Sequence, residues 1–237
     1  MTEHTVRAFD RELELLGRKI AEMGGIAEKM LSEAIEALIR LNLDEAKAII
    51  ATDPRLDQLQ REIEEEAVHI IARRQPLGAD LREIIGAMRI SGDLERVGDL
   101  AKNIAKRTLA LAEEQKLPRA MMGLRHMGQL AAMQLKDVLD AYAQGDVERA
   151  DKVWRRDAEI DALEDSVFRE LLTFMMEDPR NISSCTHLLF CSKNVERAGD
   201  HATNIAETVH YVVTGEMLPV ERPKTGALSE GPWVADR

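Results

Sequence analysis

The sequence reads Leu94-Glu-Arg-Val-Gly-Asp-Leu-Ala-Lys-Asn-Ile-Ala105 in its first half and Val195-Glu-Arg-Ala-Gly-Asp-His-Ala-Thr-Asn-Ile-Ala206 in its second. Eight of the twelve positions are identical, which two unrelated helical segments would almost never show. The chain is therefore an internal duplication. Neither copy contains proline, and apolar residues recur three or four positions apart, so both copies are predicted to lie inside helices.

Each copy places a polar row along one side of its helix. Residues four apart stand one above the other, so Glu95, Asp99 and Asn103 share a face, and the equivalent residues of the second copy do the same. A mid-helix glycine costs about 1 kcal/mol relative to alanine, yet both copies keep one, at Gly98 and Gly199. Either a second backbone comes close there or the helix tolerates a small residue.

The composition favours helices packed in bundles. The 237 residues are 45% hydrophobic and 32% charged but only 3% aromatic, and long runs consist of Ala, Glu, Lys, Leu and Arg. This length is enough for one large domain or two small ones, and the duplication favours two. A net charge of -11 argues against a nucleic-acid partner, because phosphate backbones need clustered Lys and Arg. The same charge suits cationic ligands.

The cysteines and the N-terminus predict a reduced, cytoplasmic protein. Cys185 and Cys191 are the only cysteines, and in one predicted helix they are badly placed to bridge each other. The polar N-terminus lacks the apolar core of a signal peptide. No apolar run approaches the roughly 18 residues of a membrane span, so membrane association is expected only through a partner.

Apolar periodicity predicts three helices in each repeat, joined by short loops. In the first repeat they run from Phe9 to residue 41, from there to Arg74, and from residue 80 to about Gln115. Gly24-Gly25 is expected to interrupt and bend the first of them. In the second repeat the helices follow Pro118, with breaks at 144–146 and 178–181 and a stop at residue 215.

Three antiparallel helices with short loops make one bundle. The predicted fold is therefore all-α, with two tandem, internally duplicated three-helix bundles. The first bundle is assigned to residues 1–116 and the second to residues 117–216. Residues 217–237 contain prolines and glycines without periodicity, which predicts a flexible C-terminal tail.

The second helix of each repeat carries an acidic pair of its own, four residues apart. In an antiparallel hairpin, residues equally far from the turn lie side by side. Asp57 and Glu95 are equally far from Pro76, as are Asp53 and Asp99, and the second repeat has nearly the same spacing around its turn. Four carboxylates should therefore meet in each bundle: Asp53, Asp57, Glu95 and Asp99 in the first, and Asp157, Asp161, Glu196 and Asp200 in the second.

Such clusters of like charge destabilise a fold unless something compensates for them. A bound metal ion does so directly, because carboxylate oxygens suit hard ions and four carboxylates can bridge two or more of them. The alternative is a solvated acidic edge, with Arg96 and Arg197 as local partners. The repetition of the level pairing in both bundles favours metal sites.

Catalysis has less support, and no catalytic residue is predicted. Di-iron carboxylate enzymes on helical bundles place a histidine three residues after a ligand glutamate, where this chain has Gly98 and Gly199. His201 follows Asp200, but its counterpart in the first repeat is Leu100, so His201 is interpreted as incidental or auxiliary. The sequence has no Gly-rich phosphate loop, nucleophile elbow or paired-cysteine site.

These features resemble the PhoU family of bacterial phosphate-signalling regulators. The resemblance rests on the duplicated motif, on the turn Arg74-Gln-Pro76 before Asp80-Leu-Arg-Glu-Ile-Ile, and on paired three-helix repeats over roughly residues 5–216. It implies two similar bundles and multinuclear iron or zinc clusters held by the eight carboxylates named above, with manganese or magnesium as alternatives. The second turn, Asp178-Pro-Arg180, departs from the Arg-Gln-Pro form.

The resemblance also implies a function. Members of the family are adaptors that restrain phosphate uptake through the Pst transporter, and signalling through a membrane histidine kinase, when phosphate is plentiful. They are cytoplasmic, associate peripherally with these membrane partners and commonly form homodimers. We therefore expect a metal-binding negative regulator. A carboxylate-bridged metalloenzyme and a purely structural bundle are the alternatives.

Overall fold

The described part of the chain is helical. The computed structural model describes residues 3–112 and 121–219, and no strand occurs among them. A single 3-10 turn, Pro179–Asn181, precedes the last of the α-helices, which are α1 (Glu3–Arg40), α2 (Leu43–Arg74), α3 (Ala79–Leu111), α4 (Met121–Gln144), α5 (Val147–Arg155), α6 (Asp157–Glu177) and α7 (Ile182–Thr214).

Local capping explains where several helices begin and end. Asn42 precedes α2, and its side-chain oxygen accepts a hydrogen bond of 3.2 Å from the backbone N–H three residues later. Asp146 caps α5 in the same way at 3.0 Å. Gly215 ends α7 with a φ of 80°, a conformation that glycine adopts without steric cost. These three positions agree with the turns that the sequence predicts.

The predicted domain limits fall largely outside the described residues. Residues 113–120 contain the expected end of the third helix near Gln115, the boundary after residue 116 and Pro118. The tail assigned to 217–237 is described only as far as residue 219. The division into 1–116, 117–216 and 217–237 therefore stays a prediction. None of the described helices combines the length and hydropathy that crossing a membrane requires.

The helices form two three-helix bundles, as the sequence predicts. Helices α1, α2 and α3 pack together in the first bundle, and α4, α7 and the α5–α6 pair in the second. Each bundle buries the apolar faces of its helices. Ile63 and Ile104 in the first bundle, and Leu135 and Ile205 in the second, have no solvent exposure.

One helix that the sequence predicts to be continuous is split in the structure. The second helix of the second repeat breaks at Arg156, between α5 and α6. The Arg156 carbonyl accepts hydrogen bonds from the N–H of Glu159 at 3.0 Å and from Nε2 of the buried Gln134 at 3.1 Å. The side-chain amide of Gln134 on α4 thus provides a hydrogen bond to the backbone carbonyl at the helix break. The break lies directly before Asp157, the first acidic residue of the second cluster.

The expected interruption of α1 at Gly24-Gly25 is wrong, because α1 runs through both residues. Gly24 instead allows the two bundles to approach: a Cβ on it would lie 2.7 Å from Cδ2 of Leu139 in α4. A Cβ on Gly128 of α4 would lie 2.7 Å from Cγ1 of Ile35 in α1. Gly24 and Gly128 occupy equivalent positions of the two repeats, and so do Ile35 and Leu139. Each bundle therefore places its glycine against the equivalent apolar side chain of the other bundle.

Helices α3 and α7, which carry the duplicated motif, pack on each other more extensively than any other pair of described helices. Near the start of α3, Nε of Arg82 donates to the carbonyl of Val212 near the end of α7 at 3.3 Å. Near the end of α3, Arg107 lies 3.3 Å from Nδ1 of His187 near the start of α7. The two motif helices are therefore antiparallel neighbours, and each also faces the second helix of its own repeat.

Candidate functional site

Both acidic rows lie where two helices come very close together. A Cβ on Gly98 would lie 2.2 Å from Cδ1 of Leu56, and one on Gly199 would lie 2.7 Å from Cδ1 of Ile160. A larger residue would require the side chain of Leu56 or Ile160 to shift. The atoms that a Cβ would meet belong to side chains and not to a backbone, so these glycines make room for Leu56 and Ile160, and the expected close approach of a second backbone is not observed.

The first cluster contains a lysine that bridges its two helices. Lys102 of α3 donates from Nζ to Oδ2 of Asp53 on α2 at 2.8 Å, and to Oδ1 of Asp99 at 2.5 Å. Asp53 is only 8% exposed, and a carboxylate buried to this degree requires a partner. Asp53 and Asp99 meet at the same height on α2 and α3, as the turn spacing predicts.

Lys102 stays charged in this position. Burial alone would lower the pKa of its ammonium, but the hydrogen bonds to Asp53 and Asp99 outweigh burial and hold that pKa well above the ordinary lysine value. The sequence analysis missed this residue. Its signal was available, because Lys102 follows Asp99 by three positions and so lies on the same helix face.

Glu95 and Asp57 complete the first cluster. Burial raises the pKa of Glu95, and the charges of Asp99 and Asp57 raise it further against the opposing charge of Arg96. Nε of Arg96 lies 3.4 Å from Oε2 of Glu95, and its Nη1 lies 3.6 Å from Oδ2 of Asp99. The predicted carboxylates of α2 and α3 thus act on one another, and Arg96 is a partner, as the solvated-edge alternative expects.

The second cluster has a threonine at the position of the lysine. Thr203, the repeat equivalent of Lys102, hydrogen-bonds Oδ1 of Asp157 at 3.1 Å. Lys193 donates to Oε1 of Glu196 at 2.6 Å, but the second oxygen, Oε2, is buried and has no hydrogen-bond partner among the described residues. A buried carboxylate oxygen without a partner is costly.

Glu164 joins the second cluster without having been predicted. Burial raises the pKa of Glu164, and the charges of Glu196 and Asp161 add to this against the opposing charge of Lys193. Asp200 also acts on Lys193. Glu164 follows Asp161 by three positions on α6, which was the available signal, but the first repeat has a glutamine at the equivalent place and so offered no repetition.

The two clusters differ in how well they fit a metal ion. In the described ranges 3–112 and 121–219, no three His, Cys, Asp or Glu side chains are arranged to hold a metal ion as they stand. In the first cluster, Lys102 already lies between Asp53 and Asp99. In the second, the unpartnered oxygen of Glu196 suits a hard ion, because such ions prefer carboxylate ligands. The assignment of the eight carboxylates as metal ligands stays a prediction.

A cleft of about 490 Å³ opens beside the first cluster, between α2, α3 and α7. Arg89 and Arg96 line it together with Asp93, Glu95 and Glu207. Side chains of both charge signs line the cleft, with three carboxylates and two guanidinium groups. It gives small ions access to Glu95 from solvent.

His201 contacts the other bundle rather than the metal-site candidates. Its Nδ1 lies 2.8 Å from Oδ1 of Asp93 on α3, and Nδ2 of Asn204 lies 3.4 Å from the same oxygen. His201 therefore links α7 to α3. Ser91 and Ser192, which occupy equivalent positions, each donate to a backbone carbonyl three residues earlier, at 2.8 and 2.9 Å.

Comparison with known proteins supports the resemblance along nearly the whole chain. The family model described as the PhoU domain matches residues 20–108 and 124–209, and each range contains one acidic cluster. The phosphate-specific transport system accessory protein PhoU homolog of Rhizobium meliloti (strain 1021) is 54% identical over 234 residues, covering 98% of this chain and 98% of that protein.

Two solved structures are similar to the fold described above. The crystal structure of PhoU from Pseudomonas aeruginosa has a TM-score of 0.85 and 40% identity, covering 88% of this chain and 100% of that chain. The phosphate transport system regulatory protein PhoU from Streptococcus pneumoniae has a TM-score of 0.83 and 31% identity, covering 90% of this chain and 100% of that chain. The similarity therefore includes the arrangement of both bundles.

Proposed function

This chain belongs to the PhoU family, and from that premise we propose that it is an accessory regulator of phosphate transport. The observation that carries the proposal is the 54% identity to the Rhizobium meliloti accessory protein over 98% of both chains. A shared fold alone would not support a shared function. Here the similarity extends over both bundles and both acidic clusters, which supports more than a common architecture.

The regulator is proposed to be a negative one. It restrains uptake through the Pst transporter, and signalling through a phosphate-sensing histidine kinase, when phosphate is plentiful. In this role the chain is a cytoplasmic homodimer that reaches the membrane through those two partners. The long helices support an adaptor, because they offer extended faces on which partner helices can dock.

The acidic clusters are proposed to bind metal ions, iron or zinc in the first place and manganese or magnesium as alternatives. A bound ion would neutralise the carboxylates and tie the second helix of a repeat to the third. The residues in this role are Asp53, Asp57, Glu95 and Asp99 in the first bundle, and Asp157, Asp161, Glu196 and Asp200 in the second.

The metalloenzyme alternative meets a steric obstacle at the positions where a ligand histidine would follow Glu95 or Glu196. Those positions hold Gly98 and Gly199, and even a Cβ there would come within 3 Å of a buried side chain. A histidine there would require the buried side chain of Leu56 or Ile160 to move. The curated relative is moreover described as an accessory protein, which agrees with a regulatory role.

Deletion of the gene in its own bacterium tests the proposal. In high phosphate, a reporter of phosphate-starvation genes and the rate of radiolabelled phosphate uptake should both rise, and the intact chain supplied in trans should restore them. The double variant Glu196→Gln/Asp200→Asn asks whether the second cluster contributes, with Glu148→Gln on an exposed part of the same bundle as its control. Unchanged reporter and uptake after deletion would overturn the regulatory role.

A further inference from the structure

A groove of about 710 Å³ lies at the junction of the two bundles. A face of α1 forms one wall, and the last turns of α4 and α7 together with the start of α3 form the other. Its floor is apolar and includes the buried Ile20 and Val209 and the half-buried Leu139 and Tyr142. Its described lining contains none of the eight clustered carboxylates. The groove is therefore a separate feature from the candidate metal sites.

The α1 wall is open because its side chains are small. Gly17, Ala21 and Gly25 follow one another at intervals of four and so share one face of the helix. A Cβ on Gly17 or Gly25 would meet no atom within 4 Å, so space remains above both residues. Glu14 and Glu28 lie on the same wall, and the length of helix between them is about 21 Å, or about four turns.

The second repeat shows what covers the equivalent face elsewhere in the molecule. The alignment that pairs Gly24 with Gly128 places three long side chains there, namely Met121, Arg125 and Gln129. Nη2 of Arg125 lies 3.7 Å from Oε2 of Glu36, and the residue equivalent to Glu36 is Asp140, which lines the groove. In the second repeat the chain thus provides its own cation and its own apolar side chain, whereas in the first repeat glycine and alanine leave this face open.

The groove has more acidic than basic side chains. Four carboxylates and one guanidinium group line it. Two of these carboxylates, on Glu14 and Asp140, are paired with arginines at 3.8 and 2.8 Å. The other two, on Glu28 and Glu83, have no hydrogen bond or ion pair with a residue of the ranges 3–112 and 121–219. The groove is therefore short of positive charge.

Glu83 has the stronger requirement for a cation. Its side chain is partly buried, and burial together with the negative charge of Asp80 raises its pKa. A carboxylate removed from water without a cationic partner is costly. An ammonium or guanidinium group that enters the groove would offset this cost, and apolar side chains beside that group would cover the floor.

We propose that the groove binds a basic amphipathic helix of a partner protein. The apolar side of that helix packs on the floor, along the face of Gly17, Ala21 and Gly25, and its lysine or arginine side chains reach Glu28 and Glu83. This is recognition of a helix in a groove, in which charge complementarity favours a basic helix over an acidic one. The inference rests on the adaptor role in the proposed function, and it defines a surface and a partner chemistry for that role.

Binding of a synthetic basic helix to the full chain tests the groove. The probe is a fluorescein-labelled peptide in which Lys-Leu-Ala-Lys-Leu-Ala-Lys occurs twice, which gives about four helical turns with one apolar side. Fluorescence anisotropy measures its Kd at physiological salt, where attraction to distant negative charges is screened. A peptide of the same composition with its leucines spread around the helix should bind about tenfold more weakly.

Ala21→Arg introduces the arginine of the second repeat and should weaken binding of the basic peptide about tenfold, because its side chain occupies the groove. Gly25→Gln makes the same test without a change in charge. Ser166→Arg is the control, since it adds the same charge at an exposed position of α6 in the other bundle, and it should leave the Kd unchanged. Far-UV circular dichroism and the urea midpoint verify that each variant is folded.

Glu83→Gln removes the charge and keeps the shape of the side chain. It should weaken binding of the basic peptide about tenfold, whereas Glu170→Gln, at an exposed position of α6, should not change the Kd. A peptide with glutamate in place of lysine should bind neither the parent chain nor Glu83→Gln.

The proposal is overturned if the parent chain does not bind the basic peptide, or if Ala21→Arg or Glu83→Gln leaves the Kd unchanged. Two other occupants are tested with the same arginine variant. A changed sedimentation coefficient for Ala21→Arg would identify a second copy of the chain in the groove, and faster hydrogen exchange in residues 220–237 would identify the chain's own C-terminal segment. Either result would also overturn the proposal. Because none of these measurements involves the phosphate reporter, the regulatory role is judged separately.

Discussion

Replacing Gly98 with alanine should destabilise the protein, although the change removes a poor helix former. In an open helix this substitution gains roughly 0.5–1 kcal/mol. Here the new Cβ would lie 2.2 Å from Cδ1 of Leu56, a side chain that is only 1% exposed. Overpacking of a buried side chain costs about 1–3 kcal/mol. The expected net loss in the free energy of unfolding is about 1 kcal/mol, after subtraction of the helix gain.

Gly25→Ala is the matched control for this change. Gly25 also lies inside a long helix, but a Cβ there would have no neighbour within 4 Å. The control should therefore gain roughly 0.5–1 kcal/mol. Urea unfolding followed by far-UV circular dichroism measures both variants, and their midpoints should move in opposite directions with an unchanged slope.

A second substitution identifies the contact responsible. Leu56→Ala removes the atoms that the new Cβ would meet and costs about 2–5 kcal/mol by itself. The double variant Gly98→Ala/Leu56→Ala should be less destabilised than the two single effects combined, because the clash is absent. A midpoint for Gly98→Ala that rises like that of Gly25→Ala would refute the reasoning, since the approach of α2 and α3 would then not depend on this glycine.

Three further predictions concern protonation, thiol reactivity and the contact between the bundles. Burial raises the pKa of Glu83, so its ionised form opposes folding at neutral pH. Glu83→Gln should therefore raise the urea midpoint at pH 7. This gain in stability should shrink as the pH falls through the raised pKa of the folded state, and it should vanish below the ordinary pKa of 4.5. An advantage that grows toward acid pH would contradict this. Cys185 and Cys191 are fully buried, and burial raises the pKa of Cys191 to about 12. A disulfide reagent at pH 8 should therefore label neither thiol until urea unfolds the chain. Rapid labelling of the native protein would contradict this prediction. His201→Leu introduces the leucine that the first repeat has at the equivalent position, Leu100, and removes the 2.8 Å contact to Asp93. The free energy of unfolding should fall by about 1 kcal/mol. An unchanged urea midpoint would show that this contact does not stabilise the protein.

The pairing of acidic residues between α2 and α3 could be predicted because helix geometry is regular. A constant rise per residue and a short turn place residues equally far from Pro76 side by side, and Lys102 contacts both Asp53 and Asp99 in the structure. Periodicity likewise located the helices, because each buries one apolar face. These predictions depend only on residues within one helical hairpin.

The features that could not be predicted depend on residues far apart in the sequence. No proline or glycine marks the break at Arg156, whose carbonyl is satisfied by Gln134 from another helix. The contact between His201 and Asp93 joins the two repeats, whereas the periodic pattern describes each repeat separately. Lys102 differs, because its position on the acidic face, three residues after Asp99, can be read from the sequence.

The reciprocal packing of Gly24 against Leu139 and of Gly128 against Ile35 is the arrangement that two identical half-length chains would adopt as a symmetric dimer. Fusion of two such chains makes the interface intramolecular, so its formation no longer depends on protein concentration. Fusion also removes the requirement that both halves carry the same residue at each position. A symmetric dimer would have to place a lysine in both acidic clusters or in neither, whereas the fused chain has a lysine in one and a threonine in the other.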